Sequence, residues 1–130
     1  MGTNIVRQAS HDEAIDILRQ PGVIERLAMQ PENIESGQCF VVGDAMLLVL
    51  IHHNCESVEA HIACPRSEWA RIHQLIDSAI QFIAKIGYNS IYTNVAENLP
   101  TTANLIMKNG FEWVNTIGTE RIYKWVSKRR

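Results

Sequence analysis

Between Ser57 and Val95 the hydrophobic period changes twice, and that change restricts the chain to few architectures. From Ser57 to Cys64 the period is two: Val58, Ala60 and Ile62 fall on one side, Glu59, His61 and Ala63 on the other. Pro65 ends the run. From Ser67 the period becomes 3.6, with Trp69, Ile72, Ile76, Ala79, Ile80, Ile83 and Ile86 in one apolar stripe. Ser67 starts this helix and Gly87 stops it. Tyr88 to Val95 reads as a strand again. Strand, long helix and strand in that order make a βαβ crossover, which requires parallel strands and a right-handed connection.

The flanking segments fill in the rest. Ile5-Val6 is a short apolar opening, and Ser10 caps a helix with Glu13 completing a capping box. Ala14, Ile17 and Leu18 follow at helical spacing until Pro21, and Val23, Ile24 and Leu27 suggest a second helix before Pro31. Residues 31–37 read as a polar connection. Gln38–Val42 and Ala45–His52 are paired strands across the turn Gly43-Asp44. Thr101–Asn109 is a short helix closed by Gly110, and Phe111–Thr116 and Arg121–Val126 are strands. The order is βααβββαβαββ, an α/β fold with a mixed sheet and helices on both faces.

Length and charge narrow the function. The 130 residues suffice for one domain, taken as 1–130, with a core that needs no staples. Twelve basic against fourteen acidic residues give a net charge of −2, so neither nucleic acid nor an anionic membrane is an expected partner. Three cysteines, Cys39, Cys55 and Cys64, do not make a disulfide framework. Met1–Gln8 lacks the apolar run of a secretory leader, and the longest apolar stretch, Ala45–Ile51, cannot span a bilayer. A soluble, cytoplasmic protein is expected.

At this point the chain resembles the GNAT family, the Gcn5-related N-acetyltransferases, from end to end in element order. The closest local likeness runs from Val58 to Phe111: VEAHIAC, then FIAKIG, SIYTNV and ANLIMKNGF, in which Ala103, Leu105, Lys108, Gly110 and Phe111 fit the family's pattern. The resemblance implies a GNAT fold, acetyl-CoA or another acyl-CoA as co-substrate, and an amine on a small molecule or a protein as acceptor. Two features depart from the family. The glycine-rich diphosphate loop is missing, since no glycine lies between Gly43 and Gly87 and the pattern read from Arg66 places Trp69 and Arg71 where small residues belong. Ile106 stands where many members carry an acid tyrosine, and the family's Asn falls on Pro100, with Asn98 nearby.

The resemblance places acyl-CoA on the backbone amides of Ile62, Ala63 and Cys64, where paired strands splay, with its phosphates met by Arg66, Ser67 and Arg71, and with Asn98 at the next helix. A helix N-terminus with guanidinium groups suits an anion, although the same residues also describe an ordinary capped helix. Glu59 and His61 share one side of a strand where the family often places a base. An imidazole titrates close to neutrality, whereas a carboxyl reaches that range only on burial, so His61 is the expected base and Glu59 its orienter or the amine anchor. Tyr92, on the neighbouring strand, is the replacement acid; the plainer reading of all three is a polar sheet face. His52, His53, Cys55, His61 and Cys64 match no compact zinc spacing, and no metal is expected. Trp113 and Trp125 read as core or as contacts of a homo-oligomer or protein assembly. Two functions follow: an acyl-CoA-dependent N-acyltransferase, or a degenerate GNAT-fold structural or interaction protein resembling some encoded by tailed phages and carried in the virion.

Overall fold

A computed structural model describes residues 5–20 and 31–127, of which 31–33 in their backbone alone. The strands are β1 (Val6–Gln8), β2 (Gln38–Val42), β3 (Met46–His52), β4 (Ser57–Ala63), β5 (Ser90–Ala96), β6 (Glu112–Ile117) and β7 (Glu120–Val126). The described helices are α1 (His11–Leu18), α2 (Pro31–Ser36), α3 (Ile72–Lys85) and α4 (Pro100–Lys108). One sheet contains all seven strands in the order β1-β2-β3-β4-β5-β7-β6. Among the described strands only β4 and β5 pair in parallel, as the crossover requires. The mixed sheet with helices on both faces is as expected, and the described elements follow one another as βααβββαβαββ, although the second of these helices is not the one expected.

Helices cover both faces. On one, α3 packs Ile72, Leu75, Ile76, Ala79, Ile80 and Ile83 against Leu48, Leu50, Val58, Ala60, Ile91 and Tyr123, with Ala103 and Ile106 of α4 beside them. On the other, Ala14, Ile17 and Leu18 of α1 and Ile34 of α2 meet Cys39, Val41, Leu47, Val49 and Ala63. The unbroken apolar run of β3 follows from this: Leu48 and Leu50 serve one layer, Leu47 and Val49 the other.

Several local expectations are corrected. The helix expected over Val23–Leu27 lies outside the described residues, whereas 31–37, expected as a connection, forms α2. Pro31 suits a first helical position, and the single apolar residue Ile34 is buried, its carbonyl accepting the Cys39 thiol at 3.9 Å. Ser10 Oγ does accept the Glu13 amide at 3.1 Å, but the Glu13 carboxylate pairs with Arg7 at 2.6 Å instead of closing the box. Ser67 does not cap the long helix. Residues Arg66–Arg71 form a 3₁₀ turn, and α3 begins at Ile72. The Trp69 indole N–H donates to the Cys64 carbonyl at 3.1 Å, and a tight turn after Pro65 fits that bond. Leu75 belongs to the buried stripe, and Ile86, at the helix end, is exposed.

The cysteines provide a check on the layering. Cys39 and Cys64 are buried and Cys55 is exposed. Burial pushes the Cys64 thiol up to about 12, the Glu68 carboxylate adds to the shift, and Arg71 opposes it. Cys39 is raised by burial alone. At pH 8 a colourimetric thiol reagent should therefore titrate one fast thiol in the native protein and three after unfolding. Three fast native thiols would contradict the packing of both layers.

Candidate active site

The site grows from the place where the two parallel strands part. They pair at Ser57↔Ser90, Val58↔Ile91 and Glu59↔Tyr92, and no further. The separation thus begins after Glu59, earlier than the expected point near Cys64. The Glu56 carbonyl accepts the amides of Asn89 and Ser90 at 2.9 and 3.0 Å, so even-numbered positions of β4 turn their backbone groups toward β5. Odd-numbered ones turn toward β3, as the Ser57 carbonyl does in accepting from His53 and Asn54. The β3–β4 register runs unbroken from His52↔Val58 to Leu47↔Ala63, so the alternation holds along the strand. The amides of Ala60 and Ile62 consequently face the gap. Of the three amides expected to hold acyl-CoA, that of Ile62 faces the gap, that of Ala63 turns to β3, and Cys64 lies past the strand end.

A cavity of about 370 Å³ opens on the face of the sheet that carries Glu59. His53, Glu59, Tyr92, Thr93 and Asn94 form one side of it. Val114, Asn115, Ile117 and Ile122, from the β6–β7 hairpin, form the other. A bulge aims that wall. Trp113 pairs with Tyr123 but Asn115 with Ile122, so the extra residue Val114 shifts the register and turns Asn115 and Ile117 to the side of Ile122. Thr93 also borders a small apolar cavity of about 40 Å³ on the opposite face, among Ala60, Ile62 and the helices α3 and α4.

One carboxylate joins two imidazoles. Glu59 Oε2 pairs with His61 Nε2, and Oε1 lies 3.1 Å from His53 Nε2. The His53 ring stacks on Tyr92 with centroids 6.3 Å apart, and Lys124 Nζ sits 5.3 Å from the centre of the Tyr92 ring. Burial alone would raise the Glu59 carboxyl, but His61, and then His53, through hydrogen bonds and charge, hold it below the usual carboxylate range. Glu59 is therefore an anion at neutral pH.

Of the residues singled out in the sequence, Glu59, His61 and Tyr92 come together. Glu59 and Tyr92 border the cavity; His61 sits behind Glu59 with its side chain 10% exposed. Arg66, Ser67 and Arg71 lie in the 3₁₀ turn that follows β4, and Asn98 in the turn that follows β5, all exposed. Because the strands are parallel, both turns flank the same end of the gap. Arg71 pairs with Glu68 at 3.1 Å. His53 was missed: it falls in the β3–β4 turn, outside any periodic segment, and the hairpin register brings it beside Glu59. Among the described residues no group of three or more His, Cys, Asp and Glu could hold a metal. No helix among them is long and apolar enough to cross a membrane.

No protein-family model matches this sequence, and no curated protein matches it. Solved structures do. A spermidine N-acetyltransferase SpeG chimera from Vibrio cholerae and hSSAT superposes with a TM-score of 0.74 at 19% identity, covering 96% of each chain. An IAA acetyltransferase from Bacillus cereus gives 0.70 at 12% identity, covering 96% of this chain and all of the other. The chain has the GNAT fold. Within it, the parted β4–β5 pair, the Glu59 cluster and the hairpin wall lie around one opening.

Proposed function

We propose that the protein is an N-acyltransferase that moves an acyl group from acyl-CoA to a primary amine held in the 370 Å³ cavity. The observation that carries this reading is the parted strand pair. It leaves the amides of Ala60 and Ile62 facing a gap whose mouth holds an ionised carboxylate.

Acyl-CoA would supply a thioester carbonyl already activated toward an amine. The residues fit it unevenly. The edge of β4 suits the thioester and the extended chain behind it. For the phosphates, Arg66 and Ser67 are exposed at the end of the gap, while Arg71 must leave Glu68 to take part. Asn98 flanks the same end. Binding should accordingly be weaker than with a loop whose glycines let several amides reach a phosphate.

The chain's own residues then have distinct work. The Ile62 amide donates to the carbonyl oxygen as negative charge develops on it. Glu59 accepts from the substrate nitrogen and holds it against the carbonyl carbon. His53, bonded to the other oxygen of Glu59 and bordering the cavity, takes the proton that the nitrogen loses as the N–C bond forms. His61 fixes Glu59 from behind and is a positioning residue. The C–S bond breaks, and Tyr92 gives the departing thiolate its proton. This assignment keeps Glu59 as the amine anchor and moves the base expected at His61 to His53, because His53 borders the cavity and His61 does not.

The test is thiol release from acetyl-CoA in the presence of primary amines. Release that depends on the amine is expected, with a rise in melting temperature matching about 2.7 kcal/mol at a hundred times Kd. Neither release nor a thermal shift at millimolar acetyl-CoA would overturn the reading. A second reading, an interaction module without transfer chemistry, draws on β6. It is the sheet's last strand, all six of its residues are exposed, and they include Trp113, Val114 and Ile117. Oligomers or captured partners without thiol release would favour that reading.

A further inference from the structure

We infer that the cavity selects acceptors bearing a single positive charge on an apolar body, that is arylalkyl- or alkyl-monoamines, and excludes di- and polyamines. This rests on the acyltransferase reading for its chemistry and on the cavity lining for its selectivity.

Among the described residues Glu59 is the one carboxylate that borders the cavity, and its two oxygens already serve His61 and His53. Glu120 and Glu112, on the same face of the neighbouring hairpin, are not among the described residues that border the cavity. Glu120 accepts from Asn94 Nδ2 at 2.7 Å, and Glu112 stands across from Lys124 in the β6–β7 ladder. The Tyr92 ring next to Glu59 is already taken, stacked on His53 and with Lys124 Nζ over it, so it offers no place to a second cation. The hairpin side of the cavity is Val114, Ile117 and Ile122 with one amide, Asn115, whose Oδ1 already accepts the Thr116 N–H at 2.8 Å; it carries no charge to balance a second ammonium, and its apolar part would strip that ammonium's water. The cavity's volume lies near the low end of ligand pockets, about 300–1,000 Å³, which suits a metabolite-sized body better than a peptide.

The sharpest probes are pentylamine and 1,4-diaminobutane, which have the same chain length and differ only in a methyl against an ammonium at the far end. Phenethylamine tests the arylalkyl case. With acetyl-CoA as donor, kcat/KM for pentylamine and phenethylamine should exceed that for 1,4-diaminobutane at least tenfold. Val114→Glu, which places a carboxylate on the exposed wall, should narrow that ratio at least tenfold. Transfer with equal or reversed preference would overturn the inference and leave the acyltransferase reading intact. Binding is measured separately, without acetyl-CoA, from the methyl signals of Ile122 and Ile117. Should no amine be acetylated while pentylamine still binds there at least tenfold more tightly than 1,4-diaminobutane, the selectivity stands and the acyltransferase reading falls. Binding of neither amine at this wall would overturn the inference itself.

Discussion

Glu59→Gln should lower kcat/KM for the amine at least a hundredfold while leaving acetyl-CoA affinity within about twofold. Glutamine keeps the side chain's shape, so the sheet should remain intact, but it removes the charge that holds the substrate nitrogen and supports both imidazoles. The same substitution has a pH signature. The folded Glu59 carboxyl lies below its ordinary value, so between the two values the unfolded chain binds more protons than the native one. Stability from this group is fully present above the unfolded value, about 4.3. It is lost as the pH falls through the folded one. Acid unfolding of the wild type should therefore include a component that Glu59→Gln lacks. Full activity in the variant, or an identical acid limb, would remove Glu59 from the site. His61→Ala should reduce kcat less than Glu59→Gln does, because His61 acts through Glu59.

Tyr123→Ala should cost about 3–5 kcal/mol of stability, the largest effect expected of any single truncation here. Tyr123 is 0% exposed and lies in the centre of β7 beneath α3 and α4, where an alanine would leave a cavity. Its hydroxyl has no hydrogen-bond partner among the described residues. Tyr123→Phe is thus expected to be neutral or stabilising by up to about 1 kcal/mol, since it removes a buried polar group without a partner. Urea unfolding of both variants decides the matter. A phenylalanine variant less stable than the wild type by more than 1 kcal/mol would show that the hydroxyl has a partner and that this part of the core is packed differently.

The periodic elements were legible in the sequence and the irregular ones were not. The stripe of α3 was readable because a helix covering one face of a sheet must repeat its apolar residues every three to four positions. β4 was readable because its two sides meet different surroundings, Val58 and Ala60 under α3, Glu59 and His61 on the side of the cavity. α2 went unread because it has six residues and one apolar anchor, Ile34, which makes no period. Of the site, Glu59, His61 and Tyr92 could be placed by strand alternation and neighbouring strands. His53 could not, as its position depends on how the β3–β4 turn closes; the paired register on either side of HHNCES is the signal that would have found it. The wall of Val114, Asn115 and Ile117 depends on one inserted residue, and a shift of one residue exchanges the faces of a strand. The proposed GNAT chemistry rests on the gap between β4 and β5, which follows from pairing that stops, and no local pattern of residues announces that.

That gap is where the account is most directly tested. Amide chemical shifts of the ¹⁵N-labelled protein should be followed during titration with acetyl-CoA. The largest changes are expected at Ile62 and Ala60, whose N–H groups face the gap, with Ile62 moving downfield as it takes up the thioester carbonyl. The amides of His61 and Ala63, turned to β3, should move much less. Saturable shifts confined to other parts of the fold, or none at millimolar acetyl-CoA, would contradict the proposal that this edge of β4 holds the acyl group.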